Sequence, residues 1–525
     1  MASVPVLVDF IKFLSDKTSY DTPTEEVSIL QTHISVVSLT GQFVYKLKKS
    51  VLFDFLDFST LTKRLFYCQE EVRLNQRLST DLYLGILPIY WDGNKLSFRA
   101  EGEVVEYVIK MRRLSDENLL INRLKSPDFP MSLMDLLANR LLTFYQNTPT
   151  SPEISAFASI ESIKTTMLEI TSDFPDSTGQ TLSPLAARWI QTALFQFIER
   201  NKGPLEARIQ LGKIIEGHGD LRSEHVHIEH NTVTVYDCIE FSQRLRCLDW
   251  LNDLAFLLMD LEYRHCYPQA AYLQHKLLAV LEKDDVSLLL NFYKIYRACV
   301  RGKVDTIKFR ETEVSTEVRL ESQQKAVRYF QLAFRYAVLG SMSTVIVCMG
   351  GGATGKSTLA TALANEFGLS VLSSDIIRKQ QAGVDLYKRL PDAERAHLYE
   401  AQVTEGVYQA LAEKGLAEID KFGAVILDAT YRNKEYLKQL RVVCEQKGGR
   451  LVVIQTMATE KTIRERLKKR EAEPTISDLR NSDYVATRFE IEYSIEDYVD
   501  FSIKVDTQHS IETLINDDII PYLMG

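Results

Sequence analysis

Gly350-Gly351-Gly352-Ala353-Thr354-Gly355-Lys356-Ser357 decides how the C-terminal part of this chain folds. The stretch satisfies G-x-x-x-x-G-K-[ST]. An apolar run, Thr344–Met349, precedes it, and a helical stretch, Thr358–Phe367, follows. Glycines let consecutive backbone N–H groups converge on phosphate oxygens, and the following helix N-terminus adds positive potential. Gly350, Gly351, Gly352, Ala353, Thr354, Gly355 and Thr358 are therefore expected to line a phosphate cradle. Lys356 should reach the outer phosphates, and the Ser357 hydroxyl should hold Mg²⁺.

The surroundings of this loop read as α/β. Apolar strands at 344–349, 424–427 and 451–455 alternate with helical stretches, the pattern of a parallel sheet covered on both faces. A short strand, Ser370–Leu372, leads into Ser373-Ser374-Asp375-Ile376-Ile377-Arg378. An Asp at a strand end facing the cradle can take a proton from an attacking hydroxyl. Arg378, one turn later, can hold a substrate anion. Asp375 is equally suited to cap the helix it precedes. Val425-Ile426-Leu427-Asp428 has the Walker B form, so Asp428 would bind Mg²⁺ through water or orient Ser357; Thr430 and Arg432 follow at the rim. In the helical stretch Ile463–Glu471, Arg466 and Arg470 are four apart and share a face, as a lid that clamps phosphate requires. Arg464 on that stretch, with Glu465, Glu471 and Glu473, equally suits a solvated charged face.

This trio of P-loop, D-x-x-R and I-L-D-x-T with an arginine lid resembles the P-loop kinases of small molecules and polynucleotide ends, including the zeta-toxin and polynucleotide 5′-kinase branches. It resembles them more than motor ATPases: the sequence has no arginine-finger segment and no ring-forming AAA signature. The resemblance implies ATP and Mg²⁺ as cofactors, with Asp375, Lys356, Arg378, Arg466 and Arg470 as the catalytic set.

A second phosphate-chemistry signature lies far upstream. From about 30 to 110 the chain is strand-rich: Gln31–Leu39 and Gln42–Leu47 flank Thr40-Gly41 as a hairpin, and Val104–Met111 is a further strand. Between them Ser59–Leu78 reads as a helix that Ser59 can cap, with Leu61, Leu65, Cys68 and Val72 on one face. From 130 to 215 the pattern turns helical, at Met131–Tyr145, Ile160–Ser172 and Pro184–Arg200. A strand pair at Val226–Ile228 and Thr232–Tyr236 follows His218-Gly219-Asp220-Leu221 and ends on Asp237. Helices then run from Leu248 to about Leu339, with Asp253-Leu254-Ala255 opening one.

H-G-D-L, an apolar strand and a second Asp at this spacing resemble the aminoglycoside and choline phosphotransferases, a branch of the protein-kinase-like fold. The resemblance implies that Asp220 accepts the proton of the acceptor hydroxyl and that Asp237 holds Mg²⁺ against ATP, with His218 bracing the loop and Asp253 structural. It also implies a strand lysine paired with a helix glutamate. Phe43-Val44-Tyr45-Lys46-Leu47-Lys48 offers two lysines on one strand face, of which Lys46 is favoured. Of Glu70 and Glu71, Glu71 lies closer to the apolar face of its helix. Glu106–Leu114 would be the strand and hinge that receive adenine, with Met111 near the hinge. One departure stands out: the pattern usually continues to an Asn that binds a second Mg²⁺, and His225 occupies that place. Neutral imidazole is a poor ligand for a hard cation, so this lobe uses one metal, a different metal, or is catalytically impaired. Arg222 stands where a second histidine is frequent.

Both halves together resemble bacterial tandem proteins that join a phosphotransferase-like N-terminal half to a P-loop kinase, through stretches such as Thr32-His33-Ile34-Ser35, Tyr45–Lys49, Leu56–Ser59, Lys110–Leu114 and Ile239-Glu240-Phe241. The expected fold is an α+β bilobal protein-kinase-like domain, with its N-lobe at 1–115 and its helical C-lobe at 116–340. An α/β P-loop kinase domain with a parallel sheet follows at 341–525.

Composition bounds the function classes. A chain of 525 residues that is 45% hydrophobic and 25% charged is long enough for three to four globular units and too apolar to be mainly disordered. A net charge of −9 argues against an extended basic surface for duplex nucleic acid. The seven cysteines are odd in number and form no C-x-x-C, as in a reduced, cytoplasmic protein. Met1–Lys17 has no secretory pattern, and no run of about 18 apolar residues suggests a membrane span. The expectation is an ATP-dependent kinase with two Mg-ATP sites acting on small-molecule hydroxyls. A kinase of nucleic-acid 5′-hydroxyl ends and a P-loop enzyme regulated by a pseudokinase-like sensor are the alternatives.

Overall fold

The computed structural model describes residues 5–22, 24–53, 56–471, 476–477, 479 and 491–524. Packing divides the chain into two compact units, the first comprising Met1–Ile163, Asn201–Asp260 and Gln269–Asp285, the second Lys164–Arg200, Leu261–Pro268 and Val286–Gly525.

The first unit is built on a six-stranded antiparallel sheet in the order Ser28–Gln31, Ser35–Leu39, Phe43–Lys48, Glu103–Arg112, Tyr83–Trp91, Leu96–Ser97. The Thr40-Gly41 hairpin forms, with Leu39 opposite Val44. Strand Tyr83–Trp91 escapes a sequence reading because it carries Gly85 and Pro88 among its apolar residues, and both punctuate a strand pattern. The two faces of the sheet feed two cores. Phe10, Leu14, Tyr20, Val36, Tyr45 and Leu47 pack on one. Cys68, Leu82, Tyr83, Ile109 and Met111 pack on the other, against helix Leu61–Gln76. The capping residue of that helix is Thr60 and not Ser59: the Thr60 hydroxyl accepts from Lys63 N–H at 3.3 Å, while Ser59 donates to Asp57.

The helical part of this unit holds helices Ser132–Asn147, Trp250–Tyr263 (up to Asp260) and Tyr267–Leu281 (from Gln269). Strands Val226–Glu229 and Thr232–Val235 pair antiparallel, as their alternation suggests. A two-strand ladder of Ile214–Glu216 with Cys247–Asp249 brings residues 217–220 beside the start of the Trp250–Tyr263 helix.

In the second unit a five-stranded, all-parallel sheet runs Val371–Ser373, Ala424–Ala429, Thr344–Met349, Arg450–Met457, Phe501–Asp506. Strand Thr344–Met349, buried at every position, sits centrally, as its unbroken apolar run requires. The edge strand Phe501–Asp506 escapes a sequence reading because it alternates apolar and polar residues over only six positions. Helix Lys356–Phe367 covers the sheet, and the long helix Thr316–Leu339 lies against it: Phe334 stacks on Phe367 at 5.0 Å, and Arg335 donates to Phe422 O. Pro184–Arg200 joins the same unit through Ser183 to Glu366 and Trp189 to Asn516. Helices assigned by sequence to 116–340 thus pack partly in the unit of the P-loop. Among the described residues no helix is long and apolar enough to cross a membrane.

Replacing Thr60 by Ala is expected to lower the stability of the first unit by about 1 kcal/mol. Thr60→Ser should be close to neutral, and Ser59→Ala should cost under about 0.5 kcal/mol. Chemical denaturation followed by a probe in the first unit checks the order; equal losses at 59 and 60 would contradict the cap.

Candidate active sites

In the first unit, Lys46 and Lys48 point to the same face of their strand and meet Glu71 of the helix. Lys46 Nζ lies 2.8 Å from Glu71 Oε1 and 2.9 Å from Asp237 Oδ1, and Lys48 Nζ lies 2.6 Å from Glu71 Oε2 and also pairs with Glu240. Glu71 is fully buried, and Lys48 nearly so. Burial alone would drive the Lys46 ammonium down, but Asp237, Glu71 and Glu240 hold it well above the ordinary lysine value. Burial likewise disfavours the Glu71 and Asp237 carboxylates, yet the lysines outweigh it and both lie below the usual range. Glu70 points away and pairs with Arg73 and Arg246.

The loop from 217 to 225 is pinned from beneath. Asp253 Oδ2 accepts from His218 N–H at 3.0 Å, and Asp253 Oδ1 accepts from Gly219 N–H at 2.8 Å. Gly219 has φ +85, and a Cβ there would meet Leu245 O at 3.0 Å. The buried His218 ring donates from Nε2 to Tyr236 O at 2.9 Å, joining this loop to the one that carries Asp237. Asp237 itself adopts φ +65, a left-handed conformation that non-glycine residues seldom take and that is tolerated where position matters.

Asp220 is held by Arg222 in a two-pronged ion pair, Nε to Oδ1 at 2.9 Å and Nη2 to Oδ2 at 2.8 Å. Arg222 also pairs with Glu224. His225 lies beside them, 3.7 Å from Asp237 Oδ2 and 3.7 Å from Asp220 Oδ2. Asp220, Asp237, His225, Lys46 and Glu71 therefore converge. Met111 sits on its strand opposite Val44, buried against Tyr83 and Ile109, one residue before the strand ends. Two contributors were not singled out from the sequence: Arg222 as the partner of Asp220, and Glu240 as the partner of Lys48. Lys48 was visible only as the alternative to Lys46.

In the second unit the glycine-rich loop closes at the carboxyl end of the central strand, where open parallel sheets bind ligands. Gly350 has no room for a side chain, since a Cβ would lie 2.4 Å from Thr456 Oγ1; Gly355, at φ +95, opens helix Lys356–Phe367. Thr354 Oγ1 donates to Gly351 O at 2.8 Å and meets Thr456 Oγ1 at 2.8 Å. Lys356 Nζ stands 3.9 Å from Asp428 Oδ1. That buried oxygen makes no hydrogen bond. Burial raises the Asp428 carboxyl above its ordinary value, while Lys356 and a hydrogen bond from Ser357 draw it back. An unsatisfied buried carboxylate oxygen beside a serine hydroxyl is an all-oxygen donor set suited to Mg²⁺.

The register that sets Ser373 against Asp428 puts Asp375 at the same sheet edge. Ser373 is the N-cap residue of helix Ser374–Gln381, so Asp375 lies inside the helix and is not its cap. Arg378 is buried and engaged: it donates to Leu398 O at 2.7 Å and Thr404 Oγ1 at 3.1 Å, and lies over the Tyr399 ring. Arg466 reaches back to the cradle, donating to Ala353 O at 3.2 Å and to Thr507 Oγ1 and O at 2.9 and 2.6 Å. Arg470 is partly buried, which pulls its guanidinium below the usual value; Arg466 adds to this, while Asp375 and Asp428 oppose it. Beside the cradle, Gly355, Thr358, Arg466, Lys469, Arg470 and the segment Thr507–Ile511 enclose a cleft of about 670 Å³. That segment was missed in the sequence because the strand before it was. Thr430 bonds Tyr408, and Tyr431 follows at φ +43. Glu473 and much of 474–500 lie outside the described residues.

Residues 345–490 match the family model described as an AAA domain. Proteins of uncharacterized function from Mycobacterium tuberculosis and Mycobacterium bovis are each 28% identical over 444 residues, covering 84% of this chain and 86% of theirs. Among solved structures, a choline kinase from Streptococcus pneumoniae is 15% identical, covering 61% of this chain and 98% of its own, with a TM-score of 0.36. An aminoglycoside 2′-phosphotransferase bound to GDP has the same identity, coverage and score. A gluconokinase from Sinorhizobium meliloti is 21% identical over 35% of this chain and 91% of its own, with a TM-score of 0.24. These structural likenesses are low, and the fold rests on the sheet orders given above.

Glu71 and Asp237 have ordinary values of 4.5 and 3.8 and are held lower in the folded chain. Their contribution to stability is therefore complete above those ordinary values and is lost as pH falls through the depressed ones. Denaturation of the first unit between about pH 3 and 7 should show stability falling on the acid side. Lys46→Met, which removes the cause, should flatten or reverse that slope; an unchanged slope would contradict the ion network.

Proposed function

We propose that this chain is an ATP-dependent kinase with two Mg-ATP sites, each transferring phosphate to a hydroxyl of a small molecule, the first centred on Asp220 and the second on Lys356. The observation that carries the reading is Lys46 bridging Glu71 and Asp237, residues 25 and 191 positions away in the chain. A half-buried lysine between two carboxylates adds little net stability, but it is what phosphate positioning requires. Three segments, 1–115, 116–340 and 341–525, are proposed as the N-lobe, C-lobe and P-loop parts of this enzyme, working in the cytoplasm.

In the first site, Lys46 fixed by Glu71 would hold the inner phosphates, and Asp237 with His225 would hold the metal. Asp220 would orient the acceptor hydroxyl and take its proton. Met111 and Val44, opposite each other, would border the adenine. Arg222 beside Asp220 offers positive charge where the transferred group gathers negative charge. In the second site, the backbone of Gly350 through Gly355 with Thr358 would cradle the phosphates. Lys356 would bind their outer oxygens, and Ser357 and Asp428 would hold Mg²⁺. Asp375 would be the base, Arg466 and Arg470 the lid, and the adjoining cleft the place of the nucleoside. Arg378 would hold the Leu398–Thr404 segment over the acceptor rather than reach the acceptor directly. When bound, Mg²⁺ neutralises charge on the phosphate oxygens.

A second reading draws on the Arg222–Asp220 pair. If that pair does not open for an acceptor, the first unit binds nucleotide without turnover and acts as a sensor for the P-loop site. Incubation with γ-labelled ATP and panels of sugars, nucleosides, aminoglycosides and 5′-hydroxyl oligonucleotides separates the readings. Two labelled products are expected. One should fall by about 100-fold or more in Asp220→Asn, and the other should be lost in Lys356→Ala. Loss of all transfer in Lys356→Ala with none in Asp220→Asn would favour the sensor. Labelling of the oligonucleotide alone would make nucleic acid the acceptor.

A further inference from the structure

The two sites differ in the hardness of their metal donors. The second offers the Ser357 hydroxyl and the Asp428 carboxylate, oxygen only. The first places a buried imidazole against a carboxylate: His225 Nε2 is 3.7 Å from Asp237 Oδ2. Two donors that far apart can both lie about 2.1 Å from one ion.

Three features suit His225 to be a ligand. Its Nδ1 lies 2.8 Å from Asp220 O, and a carbonyl only accepts, so Nδ1 carries the proton. In the neutral ring the lone pair is then on Nε2, the nitrogen facing Asp237; this backbone hydrogen bond is the kind that orients ligating histidines. Asp237 divides its oxygens in a matching way: Oδ1 is engaged by Lys46 at 2.9 Å and Oδ2 faces His225. Arg222 Nη2 donates to His225 Nε2 at 3.5 Å, and Glu224 Oε1 lies 3.7 Å from the same nitrogen, so an entering cation takes the place of this long Arg222 contact.

We infer that His225 and Asp237 make the first site prefer a first-row transition ion such as Mn²⁺ over Mg²⁺, while the P-loop site of the same chain remains a Mg²⁺ site. This refines the proposed function by replacing Mg²⁺ with Mn²⁺ as the preferred ion of the first site, and it rests on nucleotide binding at the first unit. Imidazole binds first-row transition ions far better than it binds Mg²⁺, which prefers oxygen and keeps its waters. Two protein donors are too few to hold a cation alone, so phosphate oxygens of the nucleotide would complete the shell, and the metal should bind only with nucleotide. His225 is thus assigned as a specificity-determining ligand.

The test uses the full chain carrying Lys356→Ala, which silences the P-loop, with a non-hydrolysable ATP analogue. A fluorescent version of the analogue first reports whether nucleotide binds the first unit at all. Bound Mn²⁺ is then followed by electron paramagnetic resonance while Mg²⁺ is added. Electron spin-echo modulation reports any directly coordinated ¹⁴N. The expected result is nucleotide-dependent Mn²⁺ binding with an imidazole nitrogen signal. In His225→Asn that signal should vanish, and the preference for Mn²⁺ over Mg²⁺ should drop by roughly tenfold or more. Wild-type chain should hold a second, nucleotide-dependent Mn²⁺ that Mg²⁺ displaces readily. Nucleotide bound without ¹⁴N modulation, or with the same metal preference in both variants, would overturn this inference and leave the kinase reading standing. No nucleotide bound with either metal would instead remove the reading on which it rests. The spin-echo measurement on unsubstituted His225 does not depend on the variant folding.

Discussion

The first unit depends on one buried charge network, in which Glu71 lies between Lys46 and Lys48. Each lysine carries the network onward, Lys46 to Asp237 and Lys48 to Glu240, two residues of one short segment. A strand, a helix and a loop from distant parts of the chain are thereby locked in one register. Such pairs are poor sources of net stability, because burying each charge costs several kcal/mol that attraction only roughly offsets. Breaking one partner is a different matter, since an unpaired buried charge costs about 3–5 kcal/mol. The network therefore acts as a positioning device: Asp237 cannot move without disturbing the sheet.

The second unit concentrates positive potential at its candidate site by other means. Its cradle is backbone, and the side chains around it hold that backbone in shape. Thr354, Thr456 and Thr507 brace the loop, and Arg466 staples Ala353 to Thr507. The buried Asp428 oxygen is left without a hydrogen bond. Unsatisfied buried polar atoms are rare and costly, and here the cost falls where a cation would relieve it. One unit thus stores positive charge on a lysine, while the other builds positive potential from N–H groups and a helix end.

Much of this was legible in the sequence, for reasons that differ by element. The Thr344–Met349 strand and the loop after it were visible because a buried parallel strand must be continuously apolar and a phosphate loop must be glycine-rich. The Lys46–Glu71 pairing followed from strand and helix periodicity together with the family pattern, and His225 was conspicuous as a departure from it. What stayed hidden depends on tertiary neighbours. Tyr83–Trp91 looks broken by Gly85 and Pro88, and Phe501–Asp506 is too short to declare itself. Glu240 has no local signal for its bond to Lys48, and the packing of Pro184–Arg200 with the P-loop unit leaves no mark on amphipathic periodicity. The cap at Thr60 instead of Ser59 is a one-residue ambiguity that hydroxyl chemistry alone does not resolve.

Counting nucleotides tests the central claim, two independent phosphate-handling sites in one chain, most directly. Equilibrium binding of labelled ATP analogue should saturate at two per chain in the presence of both Mg²⁺ and Mn²⁺. Lys46→Met and Lys356→Ala should each remove one without affecting the other. Saturation at a single nucleotide, abolished by Lys356→Ala and untouched by Lys46→Met, would contradict it.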